Sequence, residues 1–430
     1  MALAPWRDRA WDELASRDFA VLVIGGGIVG AGLAHEAARA GLAVALVDRA
    51  DFGSQTTSAS SKLIHGGLRY LRLGDIRLVR EAHQERRALT RVVAPHLVRR
   101  LPFLLPLYRD GPYRPLTIRA GLSLYSALAG ERMGRALTPE AARRRVPPLR
   151  VDGLSACGVY ADAVTHDARL CLANVRAAAD AGATVLNYAE AVSIRTQGGR
   201  AVGAEVVDRL GREEATVRAR TVVNATGPWV DRVRMLENPA ARPSVRLSAG
   251  VHVLVPLETP WSAAVVVPHD DARVSFAIPW EGMLLLGTTE RAYEADPAEL
   301  RPTEAEIGAV LAEARVALDG SSLAPVLSAF AGLRVLPRRR GDTARARRET
   351  IFLRGRAGML SIAGGKLTTY RRIALQALRT LESDLGLARL RREPVTLPGA
   401  ADPAAVAEEL ARRNQSLDRD RRAHLARVYG

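Results

Sequence analysis

The chain has 430 residues, 48% of them hydrophobic and 25% charged, the balance of a globular protein large enough for two lobes. Its formal charge of +16 comes with only 5% aromatic residues and no zinc-finger, RRM or helix-turn-helix pattern. That argues against nucleic acid and leaves an anionic substrate, an anionic cofactor or an anionic membrane surface as the partner of a basic chain.

The first twenty residues, MALAPWRDRAWDELASRDFA, contain acidic residues and no continuous apolar run, so they do not read as a secretory signal. The longest apolar run, Phe19 to Ala34, holds five glycines and falls short of the roughly 20 residues a membrane span requires. From Val21 to Ile24 the chain reads as a strand, from Ile28 to about Arg39 as an Ala-rich helix, and from Ala43 to Val47 as a second strand running into Asp48. Strand, glycine turn, helix, strand and acid in this order form a dinucleotide-binding unit. Gly25 is expected to make the tight turn, and Gly27 to let backbone N–H groups reach a pyrophosphate. Gly30 is expected to let the helix pack closely on the strand, with Ile28 opening that helix and Asp48 facing a ribose diol.

Further along, Gly74 to Arg100 reads as an amphipathic helix, followed by an extended LPFLLPLY. Arg114 to Gly130 reads as a helix that is either core-facing or set in lipid headgroups. A helix from about Asp167 to Ala181 precedes hairpins at QGGR and RLGRE. The strand TVVNATGPWVD then offers a second backbone approach to a dinucleotide. Ser244 to about Thr289 reads as an antiparallel sheet, and Thr303 to Leu318 as a helix. VLSAFAGLRVLP and MLSIAGGKLTTYRRIALQALRTL return to a strand–glycine–helix style.

Eight histidines occur without HExxH or any other ligand spacing, and there is no GxSxG, so neither a metal centre nor a nucleophilic triad is expected. Cys157 and Cys171 read as small buried residues in a reducing cytoplasm. Redox chemistry carried by a dinucleotide remains. NAD and FAD both use this unit; the discontinuous nucleotide lobe favours FAD. Of 62 Lys+Arg only Lys62 and Lys366 are lysines, and each falls in a Gly/Ser-rich motif. That placement suggests two positions needing a compact ammonium against one cofactor.

VIGGGIVGAG, TTSASSKLIHGGLRYL, VNATGPWVD, LLGTTE, GLRVLP and GGKLTTYR occur in order and resemble the FAD-dependent glycerol-3-phosphate dehydrogenase family. The resemblance runs from about Phe19 to Gly399. It implies an α/β (α+β overall), D-amino-acid-oxidase-like fold: a Rossmann-like FAD-binding domain interleaved with an antiparallel-sheet substrate domain. FAD-binding segments are expected at 18–90, 151–235 and 336–388, the substrate sheet at 236–335, a substrate-side, membrane-facing segment at 91–150, and a helical remnant at 389–430. The implied reaction oxidises sn-glycerol 3-phosphate, with electrons passing to a membrane quinone, or to oxygen in oxidase relatives. An oxidase acting on an amine or hydroxy acid stays open as an alternative. The implied location is cytoplasmic and peripheral on the inner membrane.

By the same resemblance, Arg69, Tyr70, Arg334, Arg348 and Lys366 would bind the substrate phosphate, with Thr289 and Glu290 lining the pocket. His252 is the first candidate base and His65 the second, with Lys366 and Arg334 stabilising charge. Ser60, Ser61, Lys62, Leu63, His65 and Gly66 would face the cofactor from one motif. Ala225, Thr226, Gly227 and Trp229 would face it from a second, and Gly365, Lys366, Leu367 and Thr368 from a third, with Ala191 beside them. Two departures from the family pattern stand out: Ala249 and Val251 flanking His252, and Thr165-His166 before Asp167.

Overall fold

In the computed structural model the apolar run at the start of the chain forms the strand Asp18–Ile24, buried on both faces, as a central parallel strand must be. The structure describes residues 5–68, 71, 74–113, 115–131, 136–211, 213–269, 274–320, 323, 325–338, 350–387 and 390–429. Asp18–Ile24 lies parallel to Val44–Val47 on one side and to Glu214–Asn224 on the other. Thr184–Leu186 extends the parallel sheet beyond the first neighbour, and Leu360–Ala363 beyond the second. The antiparallel hairpin Ala189–Gln197 and Arg200–Asp208 adds to Glu214–Asn224, and Ile351–Arg354 closes the other edge.

Helices Ile28–Arg39, Asp167–Asp180 and Tyr370–Thr380 pack together against this sheet. Gly32 permits the approach: a Cβ there would lie 2.6 Å from the Tyr370 ring. Trp11 and Leu14 of the helix Pro5–Ser16 join the apolar layer on the sheet's opposite face, and Arg7 makes a buried ion pair with Asp208.

Among the described residues the second sheet has nine strands and is antiparallel except where Ala264–Pro268 runs parallel to Val98–Tyr108. Val245–Pro256 pairs with Met283–Gly287 and, over ten residues, with Ser328–Pro337. Alternate residues feed two cores. Leu104, Val265 and Val267 meet Ala142, Val310 and Ala314, whereas Phe103, Leu105 and Val266 meet Val79, Leu122 and Tyr125. The short strand Leu63–Ile64 sits at this sheet's end, paired with Leu154–Thr165, so the SKLIHGG motif crosses between the two sheets.

Several elements depart from expectation. The helix expected over Gly74 to Arg100 spans Ile76–Ala88, capped by the Asp75 carboxylate, and runs into a π-helical turn Leu89–Val93. Pro95 bars continuation, and Val98–Tyr108 is already strand. Leu154–Thr165, expected among the FAD-binding segments, joins the second sheet. Ser328–Pro337, within the segment expected for the substrate sheet, joins it by backbone pairing along Val245–Pro256 rather than returning to the nucleotide lobe. The helix after the sheet spans Glu304–Ala314 and starts at a capping box between Thr303 and Glu306.

Candidate active site

A cavity of about 1270 Å³ runs between the two sheets from the first glycine turn to the strand Val245–Pro256. It exceeds the roughly 300–1,000 Å³ of a drug-sized ligand pocket and has room for a dinucleotide. At one end Gly25 takes φ +105°, and a Cβ there would lie 2.7 Å from the Ala225 carbonyl oxygen. A Cβ on Gly30 would lie 1.8 Å from the Gly25 carbonyl oxygen. The first strand, the helix behind it and the NATG segment therefore meet backbone to backbone, which leaves the helix N-terminus at Gly27 open to an anion. Asp48 accepts hydrogen bonds from the N–H of Gly26 (2.6 Å) and of Ala50 (2.8 Å). The Ile28 N–H donates to Thr57 Oγ1 at 3.1 Å.

Gly25, Gly27, Ile28, Asp48 and Ala191 line this end, with Ala225, Thr226, Gly227 and Trp229. The two lysine-bearing motifs meet at the middle of the cavity. The His65 N–H donates to Thr368 Oγ1 at 3.1 Å and the Thr368 hydroxyl returns a bond to the His65 carbonyl at 3.3 Å. Ser60, Ser61, Leu63 and His65 line the wall from one motif, and Gly365, Lys366, Leu367 and Thr368 from the other.

At the far end stand His252, Arg334, Thr288 and Glu290. Arg334 donates to Thr288 Oγ1 and to the Thr289 carbonyl, both at 3.3 Å, with Glu290 at 3.9 Å. Ser61 Oγ and His252 Nε2 share a hydrogen bond of 2.8 Å, and the imidazole stacks on Phe330. Burial, then Arg334 and Lys62, hold the His252 imidazole down to about 3. It is therefore neutral, with a free site for a proton in principle but little affinity for one.

Three expected residues are placed differently. Lys62 turns away from the cavity: its ammonium is buried against both oxygens of Asp167, at 2.8 and 2.9 Å. Gly66 sits behind the wall, where a Cβ would lie 2.2 Å from the His83 ring, and its N–H donates to Asp162. The Thr289 hydroxyl accepts the Val251 N–H, so Thr288, not singled out in the sequence, faces the cavity instead. Gly30, within the helix Ile28–Arg39, packs against the Gly25 carbonyl as expected of it, without lining the cavity. Arg69, Tyr70 and Arg348 lie outside the described residues.

Sequence reading also missed Asp162, a buried carboxylate at the cavity edge. It accepts hydrogen bonds from Tyr125 Oη (2.9 Å), Arg86 (2.8 Å) and the Gly66 N–H (3.0 Å). Burial still pushes it up to about 6. The helix Pro115–Leu128 turns out to be a cavity wall through Ile118, Leu122 and Leu124.

These buried groups set an acid limit on stability. Burial holds His35 down to about 4 and His83 and His252 down to about 3, against 6.5 in an unfolded chain. As pH falls through 6.5 the unfolded chain takes up these three protons and the folded chain does not, so stability is lost. Asp48 and Asp162, raised to about 6, take protons in the folded chain first and offset part of the loss. Three histidines outweigh two carboxyls that are only partly protonated near pH 5.5. The thermal midpoint is expected to fall between about pH 7 and pH 5; a midpoint that holds or rises in a pH series would contradict this balance.

A glycine cradle that any Cβ would fill, an open helix N-terminus and a long cavity between a parallel and an antiparallel sheet define a dinucleotide-dependent redox enzyme. The chain belongs to the DAO family of FAD dependent oxidoreductases, whose profile matches residues 20–371. FAD is its cofactor, and the cradle fits it. The chain is 40% identical to glycerol-3-phosphate dehydrogenase 2 of Mycobacterium tuberculosis (strain ATCC 25618 / H37Rv) over 383 residues, 88% of this chain and 65% of that protein's length. It is 34% identical to the aerobic glycerol-3-phosphate dehydrogenase of Staphylococcus epidermidis (strain ATCC 12228 / FDA PCI 1200), over 90% of this chain and 70% of the relative.

Among solved structures, the glycerol-3-phosphate dehydrogenase from Bacillus halodurans complexed with FAD is similar at a TM-score of 0.80 and 31% identity, over 99% of this chain and 78% of that one. The L-alpha-glycerophosphate oxidase from Mycoplasma pneumoniae shares the fold at a TM-score of 0.68 and 17% identity, over 89% of this chain and 99% of that one.

Proposed function

We propose that this protein oxidises sn-glycerol 3-phosphate to dihydroxyacetone phosphate. FAD, when bound, supplies the acceptor for the hydride that leaves C2 of the substrate. The observation that supports the reading is a single cavity lined by two cations from different motifs, Lys366 and Arg334, in a chain whose relatives are glycerol-3-phosphate dehydrogenases. A phosphate dianion matches such a pair, and an amine would not require it. Arg334 is held by Thr288 and the Thr289 carbonyl, so its fork is oriented before substrate arrives. Arg69, Tyr70 and Arg348 complete the phosphate site in this reading.

His65 and His252 are the candidate acceptors for the C2 hydroxyl proton. With His252 held near 3 and bonded to Ser61, His65 takes first place.

We assign a quinone as electron acceptor because the cavity has an apolar side, built by Phe103, Leu105 and Tyr160 of the second sheet and by Ile118, Leu122 and Leu124 of the helix Pro115–Leu128. Leu116 on that helix is 81% exposed and Leu124 45%, with Arg119 between them, which suits peripheral contact with an anionic membrane on its cytoplasmic face. Among the described residues no helix is long and apolar enough to cross a membrane.

Anaerobic titration of the FAD-loaded protein tests the substrate. Glycerol 3-phosphate is expected to bleach the flavin's visible absorbance and glycerol is not; bleaching by neither, or by an amino acid instead, rejects the assignment. Adding a short-chain quinone or oxygen to the bleached protein then decides the acceptor, and faster recovery with oxygen makes it an oxidase.

A further inference from the structure

Lys62 is 5% exposed, and its neighbours on both sides line the cavity that it avoids. Its φ of +59° is a left-handed conformation that a residue with a long side chain keeps only where its surroundings hold it there. Here every polar group is held. The N–H donates to Ser60 Oγ at 3.0 Å and the carbonyl accepts the Thr165 N–H at 2.8 Å. The ammonium uses its three donors on the Ser58 carbonyl and the two oxygens of Asp167. Asp167, fully buried, also accepts from Ser60 Oγ at 2.6 Å and from the Ala168 N–H at 2.9 Å.

The ammonium further lies 5.1 Å from the Phe330 ring centroid and 5.2 Å from that of Trp280. Phe330 in turn stacks on His252, with 5.0 Å between centroids and 18° between planes. Trp280 Nε1 donates to the Thr165 carbonyl, which ties the second ring to the same backbone.

We propose that Lys62 and Asp167 are positioning residues for the active site. Their buried pair locks the left-handed turn that presents Ser60 and Ser61 to the cavity, and it holds Phe330 as the platform for His252. A role in stability alone is a weaker account, since apolar replacements of buried ion pairs often leave a protein as stable as before. Arginine would not serve at this place: a planar guanidinium cannot aim three donors at Ser58 and Asp167 from between two rings. The other charged group acting on His252 is Arg334, on the neighbouring strand, so two cations disfavour its protonation.

The inference rests on the FAD family and not on the choice of substrate, and its test needs no substrate. The double variant Lys62→Met/Asp167→Asn removes both charges together and leaves no lone buried ion. Lys62→Arg keeps the charge and changes only its shape. The FAD-loaded proteins are compared by the NMR signals of the His252 imidazole, identified by their loss in His252→Gln. FAD affinity is measured by flavin fluorescence.

For the double variant, displaced His252 signals and an FAD Kd raised about tenfold are expected. For Lys62→Arg, displaced signals with the titration still below the measurable range are expected. His252 signals and FAD affinity at wild-type values in either folded variant would overturn the proposal. If the double variant fails to fold, Lys62→Arg alone decides.

Discussion

Gly30→Ala protein is expected to purify without flavin colour and to stay colourless when FAD is added back. The added methyl would stand 1.8 Å from the Gly25 carbonyl oxygen, and this oxygen has nowhere to retreat. Gly25 itself is pressed against the Ala225 carbonyl on its other side, and its N–H is bonded to the Val47 carbonyl at 2.8 Å. The helix Ile28–Arg39 must lift from the strand, and its N-terminus then no longer points its amides at the pyrophosphate. A fall in FAD affinity of about two orders of magnitude or more is expected, some 3 kcal/mol by the usual conversion. Gly308→Ala is the control. It is the same chemical change inside the helix Glu304–Ala314, with nothing within 4 Å of the new methyl, and it should leave the protein yellow and about 0.5–1 kcal/mol more stable. Equal flavin content in the two variants would mean that the helix start does not hold the cofactor.

Arg334→Leu is expected to leave FAD bound and to lower kcat/KM for glycerol 3-phosphate by about 10²- to 10³-fold. Two charge-assisted bonds to a phosphate, at roughly 1.5–2 kcal/mol each, the lower part of their usual range, account for a loss of that size. The side chain packs half-buried under Thr288, so the leucine replaces its stem and the change falls mainly on the charge. Arg334→Lys should recover about a tenth of the wild-type value, as it restores the charge without the fork. Steady-state kinetics with matched flavin content measure this. Activity of Arg334→Leu within threefold of wild type would remove Arg334 from phosphate recognition.

What could be read in the sequence was what short stretches dictate by themselves. The first glycine turn, its helix and Asp48 fall within thirty residues, and each has a local conformational reason to be there. The hairpins and the helix beginning near Thr303 are likewise local. The partner of Lys62 was not legible, because Asp167 lies 105 positions later and only folding brings the two together. Thr288 and Thr289 are adjacent and chemically alike. The pairing of the neighbouring strand decides between them, since the Val251 N–H claims the second hydroxyl. Gly66 and Gly67 pose the same problem, and the His83 ring behind Gly66 resolves it.

The Arg114 to Gly130 segment left two readings open, and one side of the helix Pro115–Leu128 fits the core-facing one. Leu122 and Tyr125 bury against the second sheet while Leu116 stays exposed. The Thr165-His166 departure acquires a place as well: Thr165 holds the Lys62 carbonyl, and His166 stands at the start of the helix that carries Asp167.

The central strand Asp18–Ile24 takes one parallel neighbour from Glu214–Asn224, and that neighbour takes its own from Leu360–Ala363. A ribosome adding roughly 5–20 residues per second therefore releases the first strand about ten to forty seconds before the strand that must lie beside it. During that interval a largely apolar ribbon has one open edge, which invites pairing with other nascent chains. Prematurely terminated products ending between the two strands should collect in the insoluble fraction.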